Sequence, residues 1–184
     1  MQILRPSESH LPSYMAALER GWSADSQRPE AAQEELARCR ADPQAFLDSM
    51  EDREAKGPPV TLPDGSTVRR LPGFRRWLWD GEFCGSIGFR WQEGTTALPP
   101  HCLGHIGYAV VPWKQRLGYA KAALAQLLPE AKSIGLSFVE ITTDPDNAAS
   151  QRVILSNGGV LVEQFTKPLQ FGGKPGLRYR IKLA

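Results

Sequence analysis

The residues best able to hold a ligand lie together in Val110-Val111-Pro112-Trp113-Lys114-Gln115-Arg116-Leu117-Gly118-Tyr119-Ala120. A β-rich run ends at Pro112, a loop follows, and a helical pattern opens at or near Gly118. The first amides of a helix have no intrahelical acceptor, and the peptide dipoles place partial positive charge there. Glycine at that point lets the backbone come close to a ligand, and the small Ala120 leaves space. Consecutive amides of such a turn can hold a pyrophosphate, with Lys114, Arg116 and Lys121 adding positive charge. The same residues also describe a plain strand-to-helix connection, and taken alone they leave both readings open. They match neither the G-x-x-x-x-G-K-S/T loop of nucleoside triphosphatases nor the G-x-G-x-x-G dinucleotide fingerprint.

The elements around this turn can be read from periodicity. Gln2 to Arg5 is a short strand, and Ser7 to Gly21 is a helix with Leu11, Tyr14, Met15 and Leu18 near helical spacing. Pro29 to Arg40 reads as a second helix, with Pro29 near its start, glutamates early and arginines late. Pro43 to Lys56 reads as a third, stopped by Gly57-Pro58-Pro59. Strands follow: Phe74 to Trp79, the turn signal Asp80-Gly81, Phe83 to Trp91, and Gly104 to Val111. Trp77, Trp79 and Trp91 on this hairpin fit core or cross-strand packing better than a pocket wall.

Between Gly118 and Ile134 an apolar stripe (Ala120, Ala123, Leu124, Leu127, Leu128, Ala131, Ile134) predicts one helix, kinked at Pro129. Ser137 to Thr143 is a strand. Asp144-Pro145-Asp146-Asn147 is a turn and N-cap for a helix over Ala148 to Ser156. Val160 to Phe165 and Leu177 to Leu183 are the last strands. Hairpins followed by a strand-helix-strand crossover predict an α/β fold: a mixed, mostly antiparallel central sheet with helices on both faces and extra N-terminal helices.

The 184 residues suit a single domain over 1–184, with a helical region over 28–57. There is no run apolar enough to span a membrane and no signal core, which predicts a cytoplasmic protein with no membrane partner. Cys39, Cys84 and Cys102 are an odd set without C-x-x-C spacing, which argues against a metal site or a disulfide framework. Residues 1–56 carry 7 basic and 11 acidic side chains, and residues 57–184 carry 15 and 9. The C-terminal part would attract an anionic ligand and the N-terminal part a cationic one. The basic residues form no stripe for nucleic acid.

Gln115-x-x-Gly118-x-Ala120, after a strand and opening a helix, resembles the Q/R-x-x-G-x-G/A signature of the Gcn5-related N-acetyltransferase (GNAT) superfamily, and most closely a bacterial subgroup of predicted acetyltransferases. Asp144 to Ser150 and Ser156-Asn157-Gly158-Gly159 stand where that superfamily places its next strand end and helix. The resemblance implies acyl transfer from acetyl-CoA, without a metal, to a small-molecule or protein amine. It implies that backbone groups of Ala109, Val110 and Val111 pair with the pantetheine arm. The amides of Gln115, Arg116, Leu117, Gly118, Tyr119 and Ala120 would hold the pyrophosphate. Asn147, with help from Ser150, would bond the pantetheine; helix capping and plain helix surface are the other roles open to these two. The amide of Val110 or Val111 would receive the oxyanion. Acidic helices beside the acceptor would favour a cationic amine, and a homodimer through sheet edges or C-terminal strands is common among such folds.

The pattern departs from many relatives at Ile154, where they carry a tyrosine acid, and in lacking a glutamate on the strand before the signature. By chemistry His105 is then the best base, since an unperturbed imidazole titrates near 6.5, and Tyr108 is a candidate acid. The two are three positions apart, so on a regular strand they face opposite ways. His101 and Glu82 are weaker candidates. A non-catalytic acyl-CoA sensor is the alternative reading, and a nucleotide-binding protein using the same turn is disfavoured by the missing fingerprints.

Overall fold

The Asp80-Gly81 turn folds β5 (Gly73–Trp79) back on β6 (Phe83–Arg90), with Phe74 opposite Phe89 and Trp77 opposite Ser86. Gly81 stands at φ +116, where a side chain is strained. A register shift between Leu78 and Trp79 pairs Trp79 with Phe83, so the connection is longer than a two-residue turn. The chain is described here from a computed structural model covering residues 1–25, 28, 30–62 and 65–183. β7 (Ile106–Val110) pairs antiparallel with β6, while β1 (Gln2–Leu4) and β2 (Glu51–Asp52) share the far edge of β5. A second antiparallel sheet has the order β8 (Phe138–Thr143), β10 (Pro175–Lys182), β9 (Val160–Thr166). The short strands β3 (Val60–Thr61) and β4 (Thr67–Val68) form a separate hairpin.

Among the described residues there are five α-helices: α1 (Leu11–Glu19), α2 (Ala31–Ala41), α3 (Pro43–Asp48), α4 (Tyr119–Ser133) and α5 (Ala148–Leu155). Side chains alternate across the first sheet, so it has two apolar faces. One face, with Leu78, Ile87, Phe89 and Ile106, packs on Ala123, Leu124, Leu127 and Ala131 of α4 and on Val139, Ile141 and Ile181 of the second sheet. The other face, with Trp77, Phe83 and Val111, packs on Tyr14, Leu18, Leu36 and Phe46 of α1, α2 and α3. Each large apolar side chain so buried contributes about 1.5–3 kcal/mol. Trp77 is fully buried and stacks on Tyr14 with ring centroids 4.3 Å apart, and Trp91 is buried beside Phe89. All three cysteines are buried and free. Among the described residues no helix is long and apolar enough to cross a membrane.

The α/β architecture, with antiparallel strands and helices on both faces, agrees with the sequence reading, but four details differ. The strands divide between two sheets, because β7 and β8 do not pair as a ladder. The third helix stops at Asp48 rather than Lys56. Glu51 and Asp52 go instead to the open edge of β5, where Arg75 N–H donates to Met50 O at 2.7 Å and Arg76 grips Glu51 at 2.5 Å. Sheet bonds, with Arg5, Arg53 and Arg76 on Glu51, outweigh further helical turns. The β3–β4 hairpin falls in a stretch with no clear alternation. α4 runs unbroken through Pro129, which sits on its exposed side. Pro29, expected near the start of α2, lies outside the described residues.

Candidate functional site

β7 and β8 lie side by side but touch as backbone only at one end. There His105 N–H donates to Glu140 O at 2.8 Å, and the His105 ring takes over the return bond, with Glu140 N–H donating to Nδ1 at 2.9 Å. With Nδ1 an acceptor, Nε2 carries the proton and donates to Thr96 O at 3.0 Å. His105 is wholly buried, and burial holds its pKa below the ordinary 6.5. Both ring nitrogens are committed, so His105 has no lone pair for an amine proton. The expected base is a clasp between two strands.

Beyond the clasp one edge of β7 is without a strand partner among the described residues. Arg90 N–H donates to His105 O and Val111 N–H to Cys84 O, both at 2.9 Å. In an antiparallel ladder bonded residues alternate, so Gly107, Ala109 and Val111 direct their backbone groups at β6. Tyr108 and Val110 direct theirs at the open edge, where Gln115 Nε2 reaches Val110 O at 3.5 Å. This corrects the expectation for Ala109 and Val111. Val111 is fully buried with its amide spent in the ladder, and of the two expected oxyanion donors only Val110 remains.

The open edge leads into the turn. Arg116 (φ 62) and Gly118 (φ 79) are both left-handed, bending the chain sharply before α4. A non-glycine residue in that region costs about 1–2 kcal/mol, and it is held here at an exposed position. Gly118 is the N-cap of α4, with no side-chain cap and no acidic residue in the first turn. The first intrahelical bond is Ala122 N–H to Gly118 O at 3.0 Å. The amides of Tyr119, Ala120 and Lys121 therefore remain for an anion. Lys114 does not supply the charge expected of it: its Nζ lies 3.0 Å from Asp80 and 2.7 Å from Glu82. Arg116 and Lys121 have no acidic partner within ion-pair distance among the described residues.

Asp80 is the residue that sequence reasoning missed, hidden in a turn signal. Its Oδ2 accepts from Tyr119 Oη at 2.6 Å and from Lys114 Nζ, tying the start of α4 to the β5–β6 hairpin. The Tyr119 hydrogen bond, with help from Lys114, holds its carboxyl well below the usual carboxylate range.

Across the gap, Asn147 caps α5, its Oδ1 accepting from Ser150 N–H at 3.0 Å. Its side-chain NH2 has no partner among the described residues. Tyr108 Oη lies 2.9 Å from Ser150 Oγ and 3.3 Å from Ser150 O. Burial pushes the Tyr108 hydroxyl up to about 12, against the opposing effect of that hydrogen bond. Thus Tyr108, Val110, Asn147, Ser150 and the turn from Gln115 to Ala120 border one gap, and His105 closes its end. Ile154 is fully buried in the core and presents no polar group.

One face of the gap is covered by α4 and α5. On the other, Gly88 of β6 stands opposite Gly107 of β7, so the sheet is bare there. Beside it a cleft of about 770 Å³ reaches from Gly88 to Glu35 of α2 and His101. No cluster of three or more His, Cys, Asp or Glu suited to a metal ion occurs among the described residues.

Residues 3–160 match the family model of the acetyltransferase (GNAT) domain. No curated protein matches the chain in sequence. Solved structures share the fold. The RimL ribosomal L7/L12 alpha-N-protein acetyltransferase in complex with coenzyme A aligns at 16% identity and TM-score 0.62, over 98% of this chain and 93% of its own. The microcin C7 self-immunity acetyltransferase MccE, in complex with acetyl-CoA and AMP, aligns at 14% identity and TM-score 0.61, over 98% and 91%. A putative ribosomal-protein-serine acetyltransferase from Vibrio cholerae aligns at 16% identity and TM-score 0.61, over 98% and 92%.

Proposed function

The chain belongs to the acetyltransferase (GNAT) domain family, and on that premise we propose that it transfers an acetyl group from acetyl-CoA directly to an amine. The observation that carries this reading is the unpaired edge of β7, which runs from the His105–Glu140 clasp to the uncapped start of α4. An extended arm with amides of its own would fit that edge as an added strand, and a pyrophosphate would fit the amides at Gly118 to Lys121. Asn147, from α5, offers its NH2 to the arm. These residues suit coenzyme A without rearrangement of the sheet.

With α4 and α5 covering one face, the acceptor has the Gly88–Gly107 face by which to approach. Its nitrogen must be neutral to attack. No imidazole is available in the gap, so the proton leaves to water. As the new C–N bond forms, the carbonyl electrons move to oxygen, and Val110 N–H is placed to receive that oxyanion. Collapse breaks the C–S bond. The Tyr108 hydroxyl, protonated at neutral pH as any tyrosine is, can give the thiolate a proton and recover it from solvent.

A panel of amines with acetyl-CoA and thiol detection tests this directly. Thiol release should rise with amine concentration and match amide formation. If no amine raises it above hydrolysis, transfer is refuted. Retained coenzyme A in native mass spectra would then favour a non-catalytic sensor, the reading that the buried, apolar Ile154 speaks for.

A further inference from the structure

The acidic N-terminal segment suggested a cationic acceptor, but the charges are arranged otherwise. Carboxylates lining the cleft already have partners. Glu35 is held by Tyr14 and by Arg75 at 3.1 Å. Glu51 meets Arg76 at 2.5 Å, Glu54 meets Lys56 at 2.7 Å, Asp52 accepts two backbone N–H bonds, and Asp48 accepts from Gln44 at 2.7 Å. The cations are less occupied. Among the described residues Arg38, Arg69 and Arg90, all lining the same cleft, have no carboxylate within ion-pair distance. Arg90 is the one closest to the chemistry. It follows Phe89 in β6, and a Cβ built on Gly107 would lie 3.8 Å from its Nη2. Its guanidinium therefore overhangs the bare glycine immediately before Tyr108. A larger residue at Gly88 or Gly107 would stand between that cation and the open edge of β7.

We infer that the acceptor is a small amine that also carries an anionic group, carboxylate or phosphate, and that Arg90 receives that group over the Gly88–Gly107 floor. The inference rests on the acetyl-transfer reading for where the reacting amine lies, but the anion site itself does not. A guanidinium with no internal partner binds a planar or tetrahedral oxyanion through two N–H bonds at once. Holding the anion there would leave the amine end of a short acceptor within reach of Tyr108 and Val110. A second cation on the acceptor would meet Arg38, Arg69 and Arg90 and be repelled.

The test compares β-alanine and O-phosphoethanolamine, which separate carboxylate from phosphate, with neutral ethanolamine and cationic putrescine. Each is assayed for acetyl transfer and, on the coenzyme A complex, for binding by calorimetry. One or both anionic amines should exceed ethanolamine in kcat/KM and in affinity by about tenfold or more. Arg90→Gln should abolish that margin, chiefly through KM, while coenzyme A affinity stays unchanged and reports a folded protein. Equal handling of anionic and neutral amines, a preference for putrescine, or an undiminished margin in Arg90→Gln would overturn the inference. Anion binding that depends on Arg90 without any transfer would support this site and refute only the acetyl-transfer reading.

Discussion

His105 and Tyr108 are three positions apart in sequence and have opposite duties. The imidazole is consumed by Glu140 N–H and Thr96 O, and the phenol reaches Ser150 on the far side of the gap. His105→Ala would strand two partly buried polar groups, an expected loss of about 2–4 kcal/mol in denaturant unfolding. The sign of its pH effect follows from a folded-state pKa below the ordinary 6.5. Its contribution to stability is full above 6.5 and erodes as the pH falls from there toward the depressed folded-state value. Melting curves from pH 8 down to pH 5, on the order of the range where histidine titrates, should show this fall, and it should be shallower in His105→Ala. In the pH profile of acetyl transfer the same variant should leave no missing inflection, because the rate tracks the neutral fraction of the acceptor. Tyr108→Phe, by contrast, should lower kcat by about a hundredfold while coenzyme A affinity holds. An unchanged kcat would remove Tyr108 as the proton donor.

The turn before α4 works through its backbone, and its glycine is constrained by conformation more than by space. At φ +79, Gly118 faces open space, and a Cβ added there would meet nothing within 4 Å. Gly118→Ala should therefore cost only the left-handed penalty of about 1–2 kcal/mol. Gly118→Glu brings a carboxylate to the free amides of Tyr119 to Lys121 and should weaken coenzyme A binding by about a hundredfold or more, on the order of two charge-assisted hydrogen bonds. Calorimetry on both variants separates strain from charge, since strain alone would weaken binding in both alike. Asp80→Asn tests the anchor. It leaves Tyr119 without its carboxylate and Lys114 with Glu82 alone, and should lower coenzyme A affinity without touching the ligand. Equal affinity in the folded variant would mean that α4 needs no such tie.

Across the whole molecule, the two larger antiparallel sheets share one apolar core, and their backbones are clasped at His105 and Glu140; in the proposed function the gap beyond that clasp takes a strand-like ligand. A ligand that binds only this folded state adds RT ln(1 + [L]/Kd) to stability, about 2.7 kcal/mol at a hundredfold excess over Kd. Acetyl-CoA should raise Tm accordingly. Hydrogen exchange should show where: the amides of Tyr108 and Val110 should slow on binding, while that of Val111, already bonded to Cys84, should not change. Uniform slowing across β7 would contradict the alternation on which the site is built.

Much of this was legible from local pattern. The helix period of α4, the Asp80-Gly81 turn, the cap at Asn147 and the glycine turn that opens α4 depend on near neighbours in the chain, and short-range sterics and hydrogen bonding decide such features. The boundary of α3 was not, because the edge of β5 that competes for Glu51 and Asp52 arrives from more than twenty positions away. Nor were the fates of the charged and titratable side chains. Sequence alone offered His105 as a base, Lys114 as an anion ligand and the acidic helices as a cation site. In the fold His105 is clamped between strands, Lys114 is neutralised by Asp80 and Glu82, and the cleft carboxylates are paired, which leaves Arg90 exposed over Gly107. A side chain's chemistry belongs to its type, but its availability depends on which groups the tertiary structure sets within about 3 Å of it.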